Sequence, residues 1–416
     1  MIDGGNVSMT LEALCFVLGI VFLWSTLIVT VGLFIPRRKH PKSERKLRFA
    51  VLVCARNEEK VIRLPVKSIL MTTYPKDCRE VIVLADNCTD RTAEAARAAG
   101  ATVWEKTTPS AGKGDVLEWG VNKVLERGGF DAVAVFDADN IASAQWFDAM
   151  NDALNDGEAV VTGRRLSSNA TANAISGWYT VYWDLMNELS NRVRPKLGLS
   201  GKLTGTGFAF LLAAVEERGW KTRTMVEDVE FTVQCNLAGR RVGYVPEAEY
   251  ADEQPVTVLH MWRQLCRWAT GCWQVAALYF RPWLAAMAKR PSFRLFDSFF
   301  AILTGMSVAF IIFFNFAALV WKLCRGDSPV SAFGFFFGIL LFVSFVGSIS
   351  AWISVALSLR KRRPKWWATL TFPAFSFILS STVLWTLVRP TRSWKPIPHG
   401  NGETGEDVAG DSAEGA

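Results

Sequence analysis

Ala132-Val133-Ala134-Val135-Phe136-Asp137-Ala138-Asp139-Asn140 is the stretch on which the reading of this chain turns. Its unbroken apolar run reads as a buried strand. The strand then delivers two carboxylates one residue apart. In open α/β sheets, ligands bind in the crevice outside the carboxyl ends of the strands. Two carboxylates there suit a hard divalent cation that bridges to phosphates. The competing reading is a solvated turn in which Asp139 caps the next helix. This stretch alone does not choose between them.

Outward from it, strand and helix patterns alternate from Arg48 to about Gly243. Phe49–Cys54 reads as a first strand, followed by a helix over Asn57–Met71. Glu80–Ala85 is a second strand, with a helix over Thr89–Ala99 that Gly100 stops. Ala101–Trp104 is a third strand, and a helix over Gly114–Arg127 leads into Ala132–Phe136. Such alternation implies a largely parallel sheet with helices on both faces. The first two strands also end in polar clusters, Arg56-Asn57-Glu58-Glu59 and Asp86-Asn87-Cys88-Thr89-Asp90, on the same side of the sheet as Asp137. These residue types can hydrogen-bond a base and a ribose. Asp90 suits a helix cap equally well.

Ala111-Gly112-Lys113-Gly114 is a small loop before a helix, and it suits a diphosphate through backbone N–H groups and a lysine charge. It does not match a Walker loop. Val226-Glu227-Asp228 opens a helix that Gly239 stops. Acids at a helix start serve the dipole, and a carboxylate there can also act as general base. Thr257–Tyr279 reads as a helix on which Gln264, Arg267 and Trp268 share a face. That face can frame a pyrophosphate and a sugar ring. It also fits an amphipathic interfacial helix, a role that Trp262, Trp273 and Trp283 suit.

The 416-residue chain is 50% hydrophobic and 20% charged, too apolar for an ordinary soluble protein. Its apolar residues lie in blocks: Leu11–Ile35, Phe299–Leu323, Ala332–Leu359 and Trp366–Val388. Each exceeds the roughly 20 residues that a membrane-crossing helix needs. Four spans are therefore expected, one before and three after the central block. The first block reads as a retained anchor, because no basic segment precedes it and no cleavage site follows. The +7 net charge gathers beside these blocks, at Arg37–Arg48 and Arg360–Lys365. The positive-inside rule puts both stretches, and the central block, in the cytoplasm. A complete fourth span would place Arg389 and Arg392–Lys395 outside, against the rule, and Pro373 is positioned to break it. Anionic lipid, rather than nucleic acid, is the expected partner of the basic stretches. Eight scattered cysteines, with no CxxC pair, and three histidines argue against zinc and for reduced thiols.

Taken in order, Arg56-Asn57-Glu58, Asp86, Asp137-Ala138-Asp139, Glu227-Asp228 and Gln264-x-x-Arg267-Trp268, followed by apolar helices, resemble the inverting glycosyltransferase family 2. The likeness is greatest to its membrane-integrated cellulose, hyaluronan and poly-N-acetylglucosamine synthase branch. It covers residues 48 to 280, and Gly205-Thr206-Gly207-Phe208 and Asp252-Glu253-Gln254-Pro255 are in keeping with it. The resemblance implies a GT-A fold, α/β and Rossmann-like, with transmembrane and interfacial helices. It implies a nucleotide-sugar donor, most often a UDP-sugar, with Mg²⁺ or Mn²⁺. Arg56, Glu58, Asp86, Lys113 and Asp137 would bind the donor, and Asp139 with Asp137 the metal. Asp228 would be the base with Glu227 beside it. Gly205, Gln264, Arg267 and Trp268 would frame acceptor and diphosphate. Ala85 and Val226 depart from the family pattern, where an acid and a threonine are common.

The expected division is an anchor over residues 1–36, a basic linker over 37–47 and a cytosolic catalytic domain over 48–255. Interfacial helices over 256–295, two to three spans over 296–390 and a polar tail over 391–416, disordered after about 400, complete it. The expected function is synthesis of a β-linked polysaccharide at the cytoplasmic membrane face. Transfer of one or a few sugars to diacylglycerol or a polyprenyl phosphate is the alternative. A membrane scaffold or transporter subunit is the non-enzymatic one. Partners would be the donor, a glycan or lipid acceptor and membrane lipids, with export or accessory subunits left open.

Overall fold

In the computed structural model the described residues are 4–37, 39–217, 219–358 and 364–392. Arg38, the basic run at 360–363 and the tail beyond 392, all assigned roles above, lie outside them.

A long apolar helix, α1 (Gly4–Phe34), precedes the first strand. The order then runs β1 (Phe49–Ala55), α2 (Arg63–Leu70), β2 (Arg79–Asp86), α3 (Thr92–Ala98), β3 (Thr102–Lys106), α4 (Lys113–Arg127) and β4 (Ala132–Asp137). The expected strands and helices are all present, but residues 57–62 turn rather than join α2. Beyond β4 come β5 (Ile141–Ala142), α5 (Trp146–Asn155), β6 (Val160–Ser167), α6 (Ala174–Asp184), β7 (Phe208–Leu211), α7 (Glu227–Leu237) and β8 (Val242–Asp252). Five helices close the chain: α8 (Val258–Lys289), α9 (Phe293–Cys324), α10 (Pro329–Leu357), α11 (Trp366–Leu370) and α12 (Phe372–Val388).

The eight strands form one sheet in the order β3-β2-β1-β4-β7-β6-β8-β5. The β3-β2-β1-β4 half is parallel. The largely parallel sheet expected from the alternation holds only there. β7 runs antiparallel to both β4 and β6, and β5 runs antiparallel to β8, so the sheet is mixed. The reversal follows from connectivity, since β7 leaves the glycine loop at residues 205–207 and starts opposite the carboxyl end of β4.

Strand periodicity divides the core. Phe49, Val51, Val53 and Ala55 face α2, α3 and α5, while Ala50 and Leu52 face α4 and α7. Both layers are fully enclosed, which is why β1 and β4 read as unbroken apolar runs.

Among the described residues, three helical stretches are long and apolar enough to cross a membrane: Ala13–Phe34, Met306–Cys324 and Pro329–Leu357. The expected fourth span is a correction. It is broken at Thr371 into α11 and the 17-residue α12, with Pro373 in the first turn. At 1.5 Å per residue α12 extends about 25 Å, short of the ~30 Å hydrocarbon core. Its start packs on α6, where Phe375 meets Tyr179 at 5.2 Å between ring centroids. Its end lies on α8, where Trp273 donates to the Val383 carbonyl and Thr391 N–H to the Thr270 hydroxyl. Both ends of α12 thus pack on helices of the rest of the chain, α6 and α8.

The apolar helices are tied to the sheet domain on one side. Lys196 donates to the Gly32 carbonyl at the end of α1, and Arg164 to the Ser358 carbonyl at the end of α10. Arg194 pairs with Asp297 in the second turn of α9 at 2.9 Å.

Candidate active site

Asp137 is held from its backbone. Its N–H donates to Asn140 Oδ1 at 2.8 Å and lies 2.9 Å from the Thr206 hydroxyl, which also contacts Asn140. Asn140 is fully buried, so this clamp fixes the strand end. Gly207 makes the clamp possible. Its φ is +61°, and a Cβ there would lie 2.0 Å from the Tyr250 ring. Asn140 Nδ2 donates to Asp139 at 3.1 Å. The cap position of the helix that follows, α5, is Gln145 and not Asp139.

Lys113 opens α4 and ion-pairs with Asp137. It donates to the Gly205 carbonyl at 2.6 Å and lies 3.6 Å from Glu227. Burial pushes this ammonium down, but Asp137 and Glu227 more than reverse that and hold it above the ordinary lysine range. The lysine of the loop expected to meet a diphosphate here lies between Asp137 and Glu227.

Glu227 and Asp228 begin α7. Burial pushes the Glu227 carboxyl up to about 7, Lys113 opposes the rise and neighbouring Asp228 adds to it. Asp228 is likewise raised by burial. A Cβ on Gly205, where φ is +89°, would lie 3.7 Å from Asp228 Oδ2, so the carboxylate faces the glycine loop.

Asp86 accepts from the Ser110 hydroxyl at 2.8 and 2.7 Å and lies 3.7 Å from Arg56. Asp90 takes the bland role. It accepts from Thr92 N–H at 3.0 Å at the start of α3 and from Glu59 N–H at 3.1 Å. Glu58 N–H donates to the Thr92 hydroxyl at 2.7 Å, and the Glu58 side chain lines the cavity described next.

Gln264, Arg267 and Trp268 share the cavity face of α8. Arg267 donates to the Met225 carbonyl at 3.0 Å, fixing the segment just before Glu227. Trp268 stacks on Tyr182 at 5.9 Å and meets Trp183 and Tyr179 edge-on. Gln264 Oε1 is buried, lies at the cavity and has no hydrogen-bond partner within the chain. Trp262, Trp273 and Trp283 pack against α9 or α12, the first on Trp385.

Every residue expected at the site, Arg56, Glu58, Asp86, Lys113, Asp137, Asp139, Gly205, Glu227, Asp228, Gln264, Arg267 and Trp268, lines one cavity of about 1350 Å³. Three contributors escaped the sequence reading. Ser110 sits beside the loop that was noticed, and a hydroxyl there carries no signal of its own. Arg165, in β6, donates to Asp252 and to the Thr204 carbonyl and lies 3.8 Å above the Trp183 ring. Tyr182 precedes that ring. Charged residues within strands usually face solvent, so only the fold reveals the buried Arg165–Asp252 pair.

The oxygens of Asp137 and Asp139 are hard donors of the kind Mg²⁺ and Mn²⁺ take. Among the described residues no three His, Cys, Asp or Glu side chains gather into a cage. A cation here would draw further ligands from phosphate and water, which is how Mg²⁺ is ordinarily held beside phosphates. The donor set therefore fits.

The sequence profile described as glycosyltransferase like family 2 matches residues 47–271, more than half of the chain. The chain belongs to that family. Its relatives include the probable glycosyltransferase YdaM of Bacillus subtilis, 29% identical over 264 residues, covering 60% of this chain and 61% of YdaM. A β-monoglucosyldiacylglycerol synthase of Synechocystis is 29% identical over 250 residues, covering 56% and 49%. A poly-β-1,6-N-acetyl-D-glucosamine synthase of Staphylococcus aureus is 25% identical over 226 residues, covering 53% and 53%. The chain thus spans about half to three fifths of these curated relatives. Among solved structures, the mannosyltransferase PcManGT of Pyrobaculum calidifontis, in complex with GDP-Man and Mn²⁺, superposes with a TM-score of 0.61 at 20% identity, covering 92% of this chain and 99% of PcManGT. The family 2 chain therefore has the GT-A fold, with apolar helices appended after it. Family membership also sets aside the scaffold and transporter reading.

Proposed function

We propose that this family 2 enzyme transfers a sugar from a nucleoside-diphosphate donor, a UDP-sugar by its family likeness, to a hydroxyl on a membrane lipid. The cavity carries this reading. From Asp86, Asp137 and Asp139 it continues past Glu227 and Asp228 to Phe22, Val29 and Leu33 of α1, Ile302 and Met306 of α9, Val346, Ile349 and Ile353 of α10 and Val383 of α12. This largely apolar stretch of the wall, in which the hydroxyls of Ser25, Thr26, Thr30 and Ser350 also stand, suits an acyl or prenyl chain. Trp262, Trp268 and Trp385 also line the cavity, and such aromatic groups suit a glycan, so polysaccharide synthesis is the second reading.

Chemistry follows from the side chains. Asp86 with Ser110 and Arg56 would hold the nucleoside, and Glu58 lies in reach of the same pocket. Asp139 and Asp137 would hold Mg²⁺ or Mn²⁺, which when bound supplies positive charge against the diphosphate. Asp228 would take the acceptor hydroxyl proton. The acceptor oxygen then bonds to the anomeric carbon, and the bond from that carbon to the diphosphate breaks with its electron pair leaving on the nucleoside diphosphate. Attack opposite the leaving group inverts the centre and yields a β-linkage. Arg267 and Lys113 are the cations in the cavity wall that can stabilise the departing charge. Gln264, Trp268, Tyr182 and Trp183 would frame the acceptor headgroup.

The three apolar helices would cross the membrane with the catalytic domain on the cytoplasmic side. The ends of α1 and α10 and the start of α9 all meet that domain, as such a topology requires.

The test is nucleotide release by the protein in nanodiscs, across a panel of UDP-sugars and GDP-mannose. Release that rises at least tenfold when a hydroxylated lipid is added supports the reading. Release independent of every added lipid sinks it.

A further inference from the structure

Among the cations of the cavity wall that have no part in the chemistry above are Arg194 and Lys202. Arg194 is 4% exposed and follows a π-helical stretch, Leu185–Asn191, that extends α6. Lys202 begins the segment leading to the Gly205 loop. Both line the cavity, together with Ser190, Ser298, Thr304 and Ser25.

Their compensation is incomplete. Asp297 accepts from Arg194 Nε at 2.9 Å and from Trp24 Nε1 at 3.1 Å, and it is fully buried outside the cavity lining. Arg194 Nη1 also donates to the Ser190 hydroxyl at 3.1 Å. Lys202 Nζ donates to the Ala301 carbonyl at 2.6 Å, a neutral partner. Asp297 is thus ion-paired with buried Arg194 and leaves half-buried Lys202 with a neutral carbonyl as its hydrogen-bond acceptor. Burial and the Arg194 charge push the Lys202 ammonium down to about 8, although Asp297 opposes them. A second anion would relieve that strain on the charge.

The position is tied to the catalytic acids. Leu203 N–H donates to the Thr232 hydroxyl at 3.1 Å, and that hydroxyl donates to the Asp228 carbonyl at 2.8 Å. Lys202 is thus one residue from a direct tether to the proposed base. Ala301, Thr304 and Ser25 put the same spot against α1 and α9, where the largely apolar stretch of the wall begins.

We propose that Arg194 and Lys202 form an anion subsite that takes the phosphate of a phospholipid acceptor, so that a hydroxyl of its headgroup reaches Asp228. This deepens the lipid-acceptor reading and rests on it. Charge-assisted bonds to phosphate are the strong ones, and an ammonium and a guanidinium at a cavity edge are the groups that make them.

The experiment compares phosphatidylglycerol with dioleoylglycerol as acceptors in phosphatidylcholine nanodiscs, with inorganic phosphate as a competitor and the donor fixed from the panel above. Phosphatidylglycerol should be preferred by kcat/KM. Lys202→Gln should raise its KM about tenfold, the size of one lost charge-assisted bond, with the donor KM unchanged. Lys202→Arg should restore it. Inorganic phosphate should inhibit the wild type more than Lys202→Gln. Because Arg194→Gln strips a partner from buried Asp297, Arg194→Lys serves as the second variant, expected to fold and to raise KM. Equal or better use of dioleoylglycerol, with Lys202→Gln unaltered, overturns the subsite but leaves the lipid reading standing. Transfer to neither lipid, with sugar entering water-soluble polymer, overturns both.

Discussion

At the scale of single residues, the account rests on how Glu227, Asp228 and Lys113 share charge. Asp228→Asn removes the group assigned to proton abstraction, and transfer should fall about 10²- to 10⁴-fold while nucleotide binding persists. Loss of binding in parallel with activity would instead make Asp228 a structural residue. Burial raises both carboxyls, so the acid limb of the kcat/KM profile, which Glu227 and Asp228 should set as a pair, is expected above the ordinary carboxylate range. Lys113→Met deletes a cation that favours their ionised forms, so that limb should move to higher pH. Glu227→Gln deletes a like charge and should move it lower. Linkage gives a second readout. The folded Glu227 titrates at about 7 against an ordinary 4.5, so the folded state binds more protons across that window. Its contribution to stability is whole below about 4.5 and is lost as pH rises through 7. Thermal midpoints between pH 5 and 8 should fall less steeply for Glu227→Gln than for the wild type.

Most of the site was legible at this scale because polar residues follow apolar runs at strand ends, and chemistry gathers there. Asp86, Asp137 and Asp139 stand out for that reason. Ser110 and Arg165 do not. Ser110 gains its role only when the loop after β3 folds back on Asp86. Arg165 gains its role only when β6 lies beside β8 and brings Asp252 into register, with Ser167 opposite Asp252 and Arg165 opposite Tyr250.

At the scale of elements, the glycine loop before β7 lies between the residues proposed for the donor and those proposed for the acceptor. Gly207→Ala meets the Tyr250 ring at 2.0 Å and an unfavourable φ of +61°. The loop must then shift, taking the Thr206–Asn140 clamp with it, and transfer should fall at least tenfold with little change in overall helicity by circular dichroism. Unchanged activity would show that the clamp does not position Asp137. Breaking the Arg165–Asp252 pair with Arg165→Met leaves a buried carboxylate, and a loss of about 3–5 kcal/mol in unfolding free energy is expected. The direction of β7 was beyond sequence reading, because a four-residue apolar strand has the same pattern either way. The break in the last apolar block was legible through Pro373, but the return of α12 onto α6 and α8 depends on aromatic contacts made across the fold.

At the scale of the whole molecule, the GT-A domain and the apolar helices share one cavity, and neither encloses it alone. Composition showed the apolar blocks, and motif order showed the catalytic ones. Their junction could not be read, because the lining residues of α1, α9 and α10 are apolar side chains and scattered hydroxyls that form no motif. Filling that junction should separate donor from acceptor functions. Ile349→Trp should raise the KM for the lipid severalfold and leave the donor KM unchanged. Mass analysis of the product is the most direct measurement, on protein in lipid nanodiscs supplied with isotopically labelled donor. The account predicts a discrete lipid-soluble species one sugar heavier than a resident lipid, β-linked by NMR and absent with Asp228→Asn. A ladder of water-soluble polymer with unaltered lipid would contradict it.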